Sequence, residues 1–513
     1  GGNAVDAAVT AALILAVVEP DNSGLGGGGM ALLWNQDRRK VTALDFREKA
    51  PAQAKTDMYI KPGIDPASSR IGPLAIAVPG TPAGLEWMQR RWGRLPWPSL
   101  FTEAIRYAQE GFGRDARLIQ RAREKSDCLK RDTHSFRIYR PLLDPKGSGI
   151  LIQEELAQSL TRLRDGGAQE FYQGNTAAQL VENLRGKGAI LESGDLIAYR
   201  AVERPPLRSD FAWGTLWGMP PPTSGGVSVL RGMNILEALQ KKNPGEFNGH
   251  WPAFLVRVFG ILFTARNSAM GDPDFVAEMP IRTWLSKATA KKNAEEILKG
   301  EKTGSADPIA GGDHTTHLSV MDASGNAVAM TLTLNLSFGS CVTAGATGIM
   351  MNDEMDDFSV DPSSPNAFGL LQSEHNAVAP GKRPLSSMSP TLVTRNQRAL
   401  LALGSPGGPR IISSVLQTLL RLYLLNEPLR AAIAAPRLHY QVMPVKIFVE
   451  KEALPLSQEL ERWPPNRKLP LEVQDSWGNV QAVSFTPKRG SFEAVSDPRG
   501  GGSSEIVMPL PTE

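Results

Sequence analysis

The chain has 513 residues, of which 41% are hydrophobic and 21% charged, with a formal net charge of +3. That length implies two or three domains with ample core, and the small net charge excludes a general pull towards nucleic acid or an acidic membrane surface. The two cysteines, Cys128 and Cys341, exclude a disulfide framework and leave a single bridge open; no run reaches the ~20 apolar residues of a membrane span.

In chain order, Asn3 reads as a helix N-cap, with Asp6 in the first turn favouring the positive end of the helix dipole. The apolar run Ala7 to Val18 predicts a buried helix that Pro20 ends. Gly24 to Gly29 matches a dinucleotide fingerprint by letters, with Asp45 about twenty residues on. The context is wrong for it: a helix precedes the glycines and the strand-like Met30 to Trp34 follows, so the run reads as a tight turn where backbones approach closely. Val41 to Phe46 reads as a strand ending at Arg47. An arginine there is either a solvated surface charge or a bidentate clamp on a carboxylate. Residues 80–300 read mostly as helices, including Phe101 to Gln109, Leu156 to Leu163, Thr176 to Leu184 and an exposed Lys287 to Lys302. A flexible linker, Gly304 to Gly312, follows. The six histidines are scattered. Only His314 and His317 lie close together, and a strand-like pair is no helical ligand pair, so no metal is expected.

Asp313 to Asn335 reads as a hairpin, with period-two alternation either side of Ala323-Ser324-Gly325-Asn326. A turn centred on Ser324 places Thr315 opposite Thr333, at a Cβ separation of roughly 4.5–5.5 Å, with Asn335 on the same face. A threonine hydroxyl needs a base beside it, and at a chain N-terminus the α-amine supplies one, with an unperturbed pKa of roughly 7.7–8.0. Thr315 becomes such a residue only if the chain is cut before it; β-branched residues also suit strands for no chemical reason. Asn352 to Asp357 is an acidic run without the spacing of an EF-hand loop. Ser359 to Leu371, with Pro362 and Pro365, reads as a surface loop. Ser386 and Ser387 sit in a Pro-flanked turn. Gly407 and Gly408 offer two adjacent backbone N–H groups. Ile411 to Tyr423 reads as a helix and Val480 to Ser484 as a late strand.

Thr315-Thr316-His317-Leu318-Ser319-Val320, Gly325-Asn326-Ala327-Val328 and Thr331-Leu332-Thr333-Leu334-Asn335 together resemble the processing site of the γ-glutamyltransferases. Gly1 to Ala8, Asp45 to Pro51, Val78-Pro79-Gly80, Pro220 to Gly226, Met355 to Phe358, Lys382 to Pro390, Gly404 to Gly408 and Asp497-Pro498-Arg499 extend the resemblance along nearly the whole chain. The resemblance implies an N-terminal-nucleophile hydrolase fold, a four-layer αββα sandwich; the residues themselves support only mixed α and β. It implies cleavage between His314 and Thr315 into a large subunit, 1–314, and a small one, 315–513, that stay together as a heterodimer. It makes Thr315 the nucleophile, Thr333 its orienting partner, and Gly407 and Gly408 the oxyanion hole. Arg47, Ser386 and Ser387 would hold a substrate carboxylate, and Glu354, Asp357 and Asn335 its α-ammonium. Phe368 would sit in a lid where some relatives carry a tyrosine, giving looser closure without that hydroxyl. Pro409 replaces a small polar residue and should be tolerated.

The expected activity is acyl transfer, without a cofactor, from glutathione or another γ-glutamyl compound to water, an amino acid or a dipeptide. A glutaryl (cephalosporin) acylase, a polyglutamate depolymerase and an unprocessed binding homologue are the alternatives. The chain opens at Gly1 inside a motif, so a preceding segment is expected. Relatives carry a secretion signal or membrane anchor there, which implies a periplasmic or extracellular setting.

Overall fold

A computed structural model describes residues 1–113, 115–144, 150–299, 315–361, 366–370, 372–442, 445–456, 460 and 469–507. Asn3 caps helix α1 (Ala4–Val18): its side chain accepts the N–H groups of Val5 and Asp6, and Asp6 accepts the N–H of Asn3 in return. This reciprocal box satisfies donors that the first helical turn leaves unpaired. The helix is buried along one side only, since Ala11, Ile14 and Leu15 remain half-buried.

Two antiparallel sheets follow. Their strands are β1 (Gly28–Asn35), β2 (Lys40–Phe46), β3 (Val202–Arg204), β4 (Leu207–Phe211), β5 (Gly214–Gly218), β6 (Thr316–Met321), β7 (Ala327–Thr333), β8 (Thr391–Arg395), β9 (Arg398–Gly404), β10 (Gln481–Thr486) and β11 (Ser491–Ser496). The first sheet runs β3-β2-β1-β7-β6 and the second β11-β10-β9-β8-β5-β4. Strands β3 to β5 correct the expectation of helices across residues 80–300. They are short and interrupted by Pro205 and Pro206. Strand β3 pairs at long range with Ala43 to Asp45 and β5 with Thr391 to Thr394, while β4 and β5 pair with each other in a local hairpin.

The period-two pattern sorts the layers. Ala31 and Leu33 of β1, with Val328, Met330 and Leu332 of β7, pack with α1 and the helices Thr81–Trp92 and Thr102–Glu110. Met30, Leu32, Ala327 and Ala329 point the other way. They join a core shared with Leu401 and Leu403 of the second sheet and with the helices Gly225–Lys242, Pro244–Ala269 and Arg410–Tyr423. The result is helices, sheet, sheet, helices: the four-layer N-terminal-nucleophile sandwich. On β7 the inward set continues through Thr331 to Thr333, so a threonine hydroxyl faces the space between the sheets.

The glycine run is a close approach, not a nucleotide loop. A Cβ on Gly27 would lie 2.0 Å from the Thr333 carbonyl oxygen, and one on Gly26 2.1 Å from that of Met350. Strand β1 begins directly after. Cys128 and Cys341 form a disulfide with a Cα–Cα distance of 5.8 Å across 213 residues of sequence, and both are buried. It joins the part of the chain before Thr315 to the part after it. Among the described residues no helix is long and apolar enough to cross a membrane.

Candidate active site

The site starts at the hairpin. Gly325 takes φ +95° in the turn, and the Asp322 side chain accepts the Asn326 N–H. The register pairs Thr316 with Leu332, which carries Thr315 across from Thr333. Their hydroxyl oxygens are 3.1 Å apart and buried. The Asn335 N–H donates to Thr333 Oγ1 at 2.8 Å, and its side-chain amide donates to the Asp353 carbonyl at 3.0 Å. Thr315 itself has φ +96°. A β-branched residue there is strained, at a typical cost of about 1–3 kcal/mol. His317 is structural. Its ring bonds Thr331 and Ser319, and burial pushes its pKa down to about 3, so it stays neutral.

Thr315, Thr333 and Asn335 open on a small cavity whose other walls include Arg47, Glu354 and Asp357. Arg47 directly follows β2 with 1% of its surface exposed, so it is no solvated surface charge. Its Nε donates to the Pro384 carbonyl at 3.2 Å, Nη1 bonds Glu354 and Nη2 bonds Asp357, with Glu48 at 3.5 Å. Burial would weaken the arginine's hold on its proton, but Glu354, Asp357 and Glu48 outweigh it and drive the pKa up. The groups expected to grip opposite ends of a zwitterion here grip each other.

Ser386 and Ser387 line the same cavity. The Ser386 turn is fixed from the Pro220 to Gly226 motif: its N–H donates to the Pro222 carbonyl, and its carbonyl accepts the Ser224 hydroxyl at 2.8 Å. Gly408 also lines the cavity; Gly407, one residue earlier, is not among its lining residues. They take φ +53° and +124°. Neither N–H donates to an acceptor among the described residues, and both precede the helix Arg410–Tyr423, whose positive end lies behind them. Pro409 sits at φ −62°, ready for that helix, as expected of a tolerated replacement. Phe368 is buried against this loop, with its N–H on Asn366 and its carbonyl on Gln441. Packing therefore seats it without a hydroxyl. His314, the linker Gly304 to Gly312, Pro362, Pro365 and Leu371 lie outside the described residues.

The γ-glutamyltranspeptidase family model matches residues 1–507. The chain belongs to the γ-glutamyltranspeptidase family. It is 37% identical over 509 residues to the glutathione hydrolase proenzyme of Escherichia coli (strain K12), covering 97% of this chain and 87% of that protein. It is 38% identical over 518 residues to the same-named protein of Pseudomonas aeruginosa, covering 99% and 91%. The γ-glutamyltranspeptidase structure from Helicobacter pylori aligns with TM-score 0.54 and 32% identity over 58% of this chain and 86% of that one. A cephalosporin acylase from Bacillus halodurans shares the fold, at TM-score 0.83 and 23% identity over 99% and 92%. The protein is thus an enzyme of the γ-glutamyltransferase and glutathione hydrolase family.

Two charged residues beside the enzyme's cavity groups escaped sequence reasoning. Glu48 is fully buried beside Arg47, and burial raises its carboxyl to about 7. Arg266 lines the cavity from the helix Pro244–Ala269, donating to Ser224 Oγ at 3.1 Å and Gln372 Oε1 at 3.3 Å; burial lowers it to about 10. Its signal was an arginine, one of two with Arg257, in an apolar helical run. Among the described residues no group of three or more His, Cys, Asp or Glu is placed to hold a metal ion.

Gly408→Ala keeps the backbone N–H but is expected to shift this loop and so lower kcat by about 10²-fold, the typical cost of misplacing a catalytic group. Its Cβ would meet the Phe368 ring at 2.7 Å in a backbone region that disfavours side chains. Steady-state kinetics beside a melting curve checks this.

Proposed function

We propose that the enzyme cuts its own chain before Thr315 and then hydrolyses or transfers the γ-glutamyl group of glutathione and related compounds. The observation that carries this reading is the Thr315–Thr333 hydroxyl pair, at 3.1 Å, opening on a cavity that holds Arg47, Glu354 and Asp357. A buried arginine beside buried acids suits a zwitterionic α-amino acid end. A side-chain acylase would have no use for the acids. The strained backbone at Thr315 supports cleavage there, since breaking the preceding bond releases it.

Once Thr315 is N-terminal, its α-amine takes the hydroxyl proton as Oγ1 bonds the γ-carbonyl carbon. Thr333 Oγ1 already accepts the Asn335 N–H, so its own proton is free to point at Thr315. The N–H groups of Gly407 and Gly408 receive the oxyanion; losing one such donor typically costs about 2.7–4 kcal/mol. Collapse breaks the C–N bond, and the leaving amine takes the proton. Water or an acceptor amine then cleaves the ester by the same route. Asn335, Ser386 and Ser387 complete the grip on the substrate's amino-acid end.

The Cys128–Cys341 bridge spans the proposed cut. Purified enzyme is therefore expected to run as one band without reductant and as two with it, the smaller beginning Thr315-Thr316-His317-Leu318. A single band under reducing conditions would instead favour an unprocessed binding protein. Such a bridge also fits the proposed periplasmic or extracellular setting.

A further inference from the structure

Arg266 stands in the wall of the pocket around Arg47, yet no step of the proposed reaction uses it. It is 2% exposed, and among the described residues its guanidinium pairs with no carboxylate. Burial lowers its pKa, with Asp357 pulling it up and Arg47 pushing it down, and at about 10 it stays charged. A buried cation without an acid is costly to keep. What this one holds instead is the start of two hydrogen-bond paths. The first runs to the turn that would grip the donor's carboxylate. Arg266 Nε donates to Ser224 Oγ at 3.1 Å, and that hydroxyl donates to the Ser386 carbonyl at 2.8 Å. The second runs to an acid that would grip the ammonium. Arg266 Nη1 donates to Gln372 Oε1 at 3.3 Å, and the Gln372 amide donates to the Asp357 carbonyl at 3.0 Å. Asn376 braces this path, donating to Gln372 Oε1 at 2.9 Å and to the Asp357 carbonyl at 2.6 Å.

An α-amino acid end carries its carboxylate and its ammonium on one carbon. The groups that hold the two must therefore be kept at one spacing. A guanidinium is a rigid plane whose N–H groups point along fixed directions, so one that reaches towards both turns can set that spacing. We infer that Arg266 is a positioning residue that ties the Ser386 turn to the Asp357 turn and thereby makes the pocket selective for donors carrying both charged groups. This rests on the γ-glutamyl reading and adds what fixes specificity within it. Arg266 lies before Thr315 in the chain and both turns lie after it, so the tie also joins the two parts of the chain at the pocket itself.

The test compares three anilides as donors: γ-glutamyl; glutaryl, which lacks the ammonium; and 4-aminobutanoyl, which lacks the carboxylate. The unsubstituted enzyme should favour the first over each of the others by about 10²-fold in kcat/KM, near the upper worth of one charge-assisted hydrogen bond. Arg266→Met replaces an unpaired buried cation by an apolar chain, which removes a desolvation cost. Ser224 and Gln372 keep their other partners, so this variant should fold and cleave. It should raise KM for the γ-glutamyl anilide by about tenfold with kcat nearly kept, the mark of lost binding rather than lost chemistry. Both preferences should shrink by about tenfold. Ser224→Ala should shrink only the preference over the 4-aminobutanoyl anilide, and Gln372→Leu only that over the glutaryl anilide. Arg266→Lys keeps the charge without the fork and should not recover both. Unchanged preferences in Arg266→Met, a change in only one, or an equal loss on all three donors would overturn the assignment. An unsubstituted enzyme that does not favour the γ-glutamyl anilide would overturn the γ-glutamyl reading and this role with it.

Discussion

Thr315→Ala is expected to stay a single full-length chain under reducing conditions and to turn over a γ-glutamyl anilide at least about 10⁴-fold more slowly than the unsubstituted enzyme. The change deletes one hydroxyl from a buried pair. Its partner keeps the Asn335 N–H as a hydrogen-bond donor, so little buried polarity is orphaned and stability should fall by only about 1 kcal/mol. A large loss with an unchanged melting temperature therefore reports chemistry. Thr315→Ser, which keeps the hydroxyl, should still cleave and still turn over. Cleavage of Thr315→Ala at the same place would end the proposal, because the hydroxyl is then not the attacking group.

How far the sequence reached depends on the range of the interaction. The hairpin was legible because a two-residue period and a tight turn fix register locally; Thr315 opposite Thr333 follows from the turn at Ser324 alone. Helix α1 was legible from its cap and its apolar run, although its half-buried face was not, because what covers a helix is decided by distant chain. Strands β3 and β5 were missed for that same reason, being short and paired with strands far off in sequence; β4 pairs with the adjacent β5 in a local hairpin and was missed all the same. The family motifs named Arg47, Glu354 and Asp357 as parts of one grip. They did not foretell that the three would pair with one another, nor that Glu48 would lie against Arg47 and Arg266 would line the same cavity. The disulfide stayed open because two cysteines 213 residues apart carry no distance information.

Arg47→Gln should have the second large effect, and it should depend on pH. The substitution removes a guanidinium that is 1% exposed from between Glu354, Asp357 and Glu48. Leaving buried charge without its partner typically costs about 3–5 kcal/mol. The acids can escape part of this by taking protons. Burial already raises Glu48 from 4.5 to about 7, and raises Glu354 well above its usual range, with the arginine present to oppose it. Without Arg47 both move higher still. A carboxyl whose folded pKa lies above its unfolded one stabilises the fold at low pH and loses that contribution as pH rises through the folded value. The deficit in melting temperature should therefore be small near pH 5 and grow through pH 7 to 8. Equal deficits at both ends would show that Arg47 does not balance these acids. Arg47→Lys keeps a charge but not the two-pronged fork, so it should recover stability more fully than it recovers KM for the donor. That split follows from the pocket's resting state. On the proposed function, an arriving amino-acid end would exchange one set of ion pairs for another, its carboxylate taking Arg47 and its ammonium the freed acids, so no new charge would have to be buried alone.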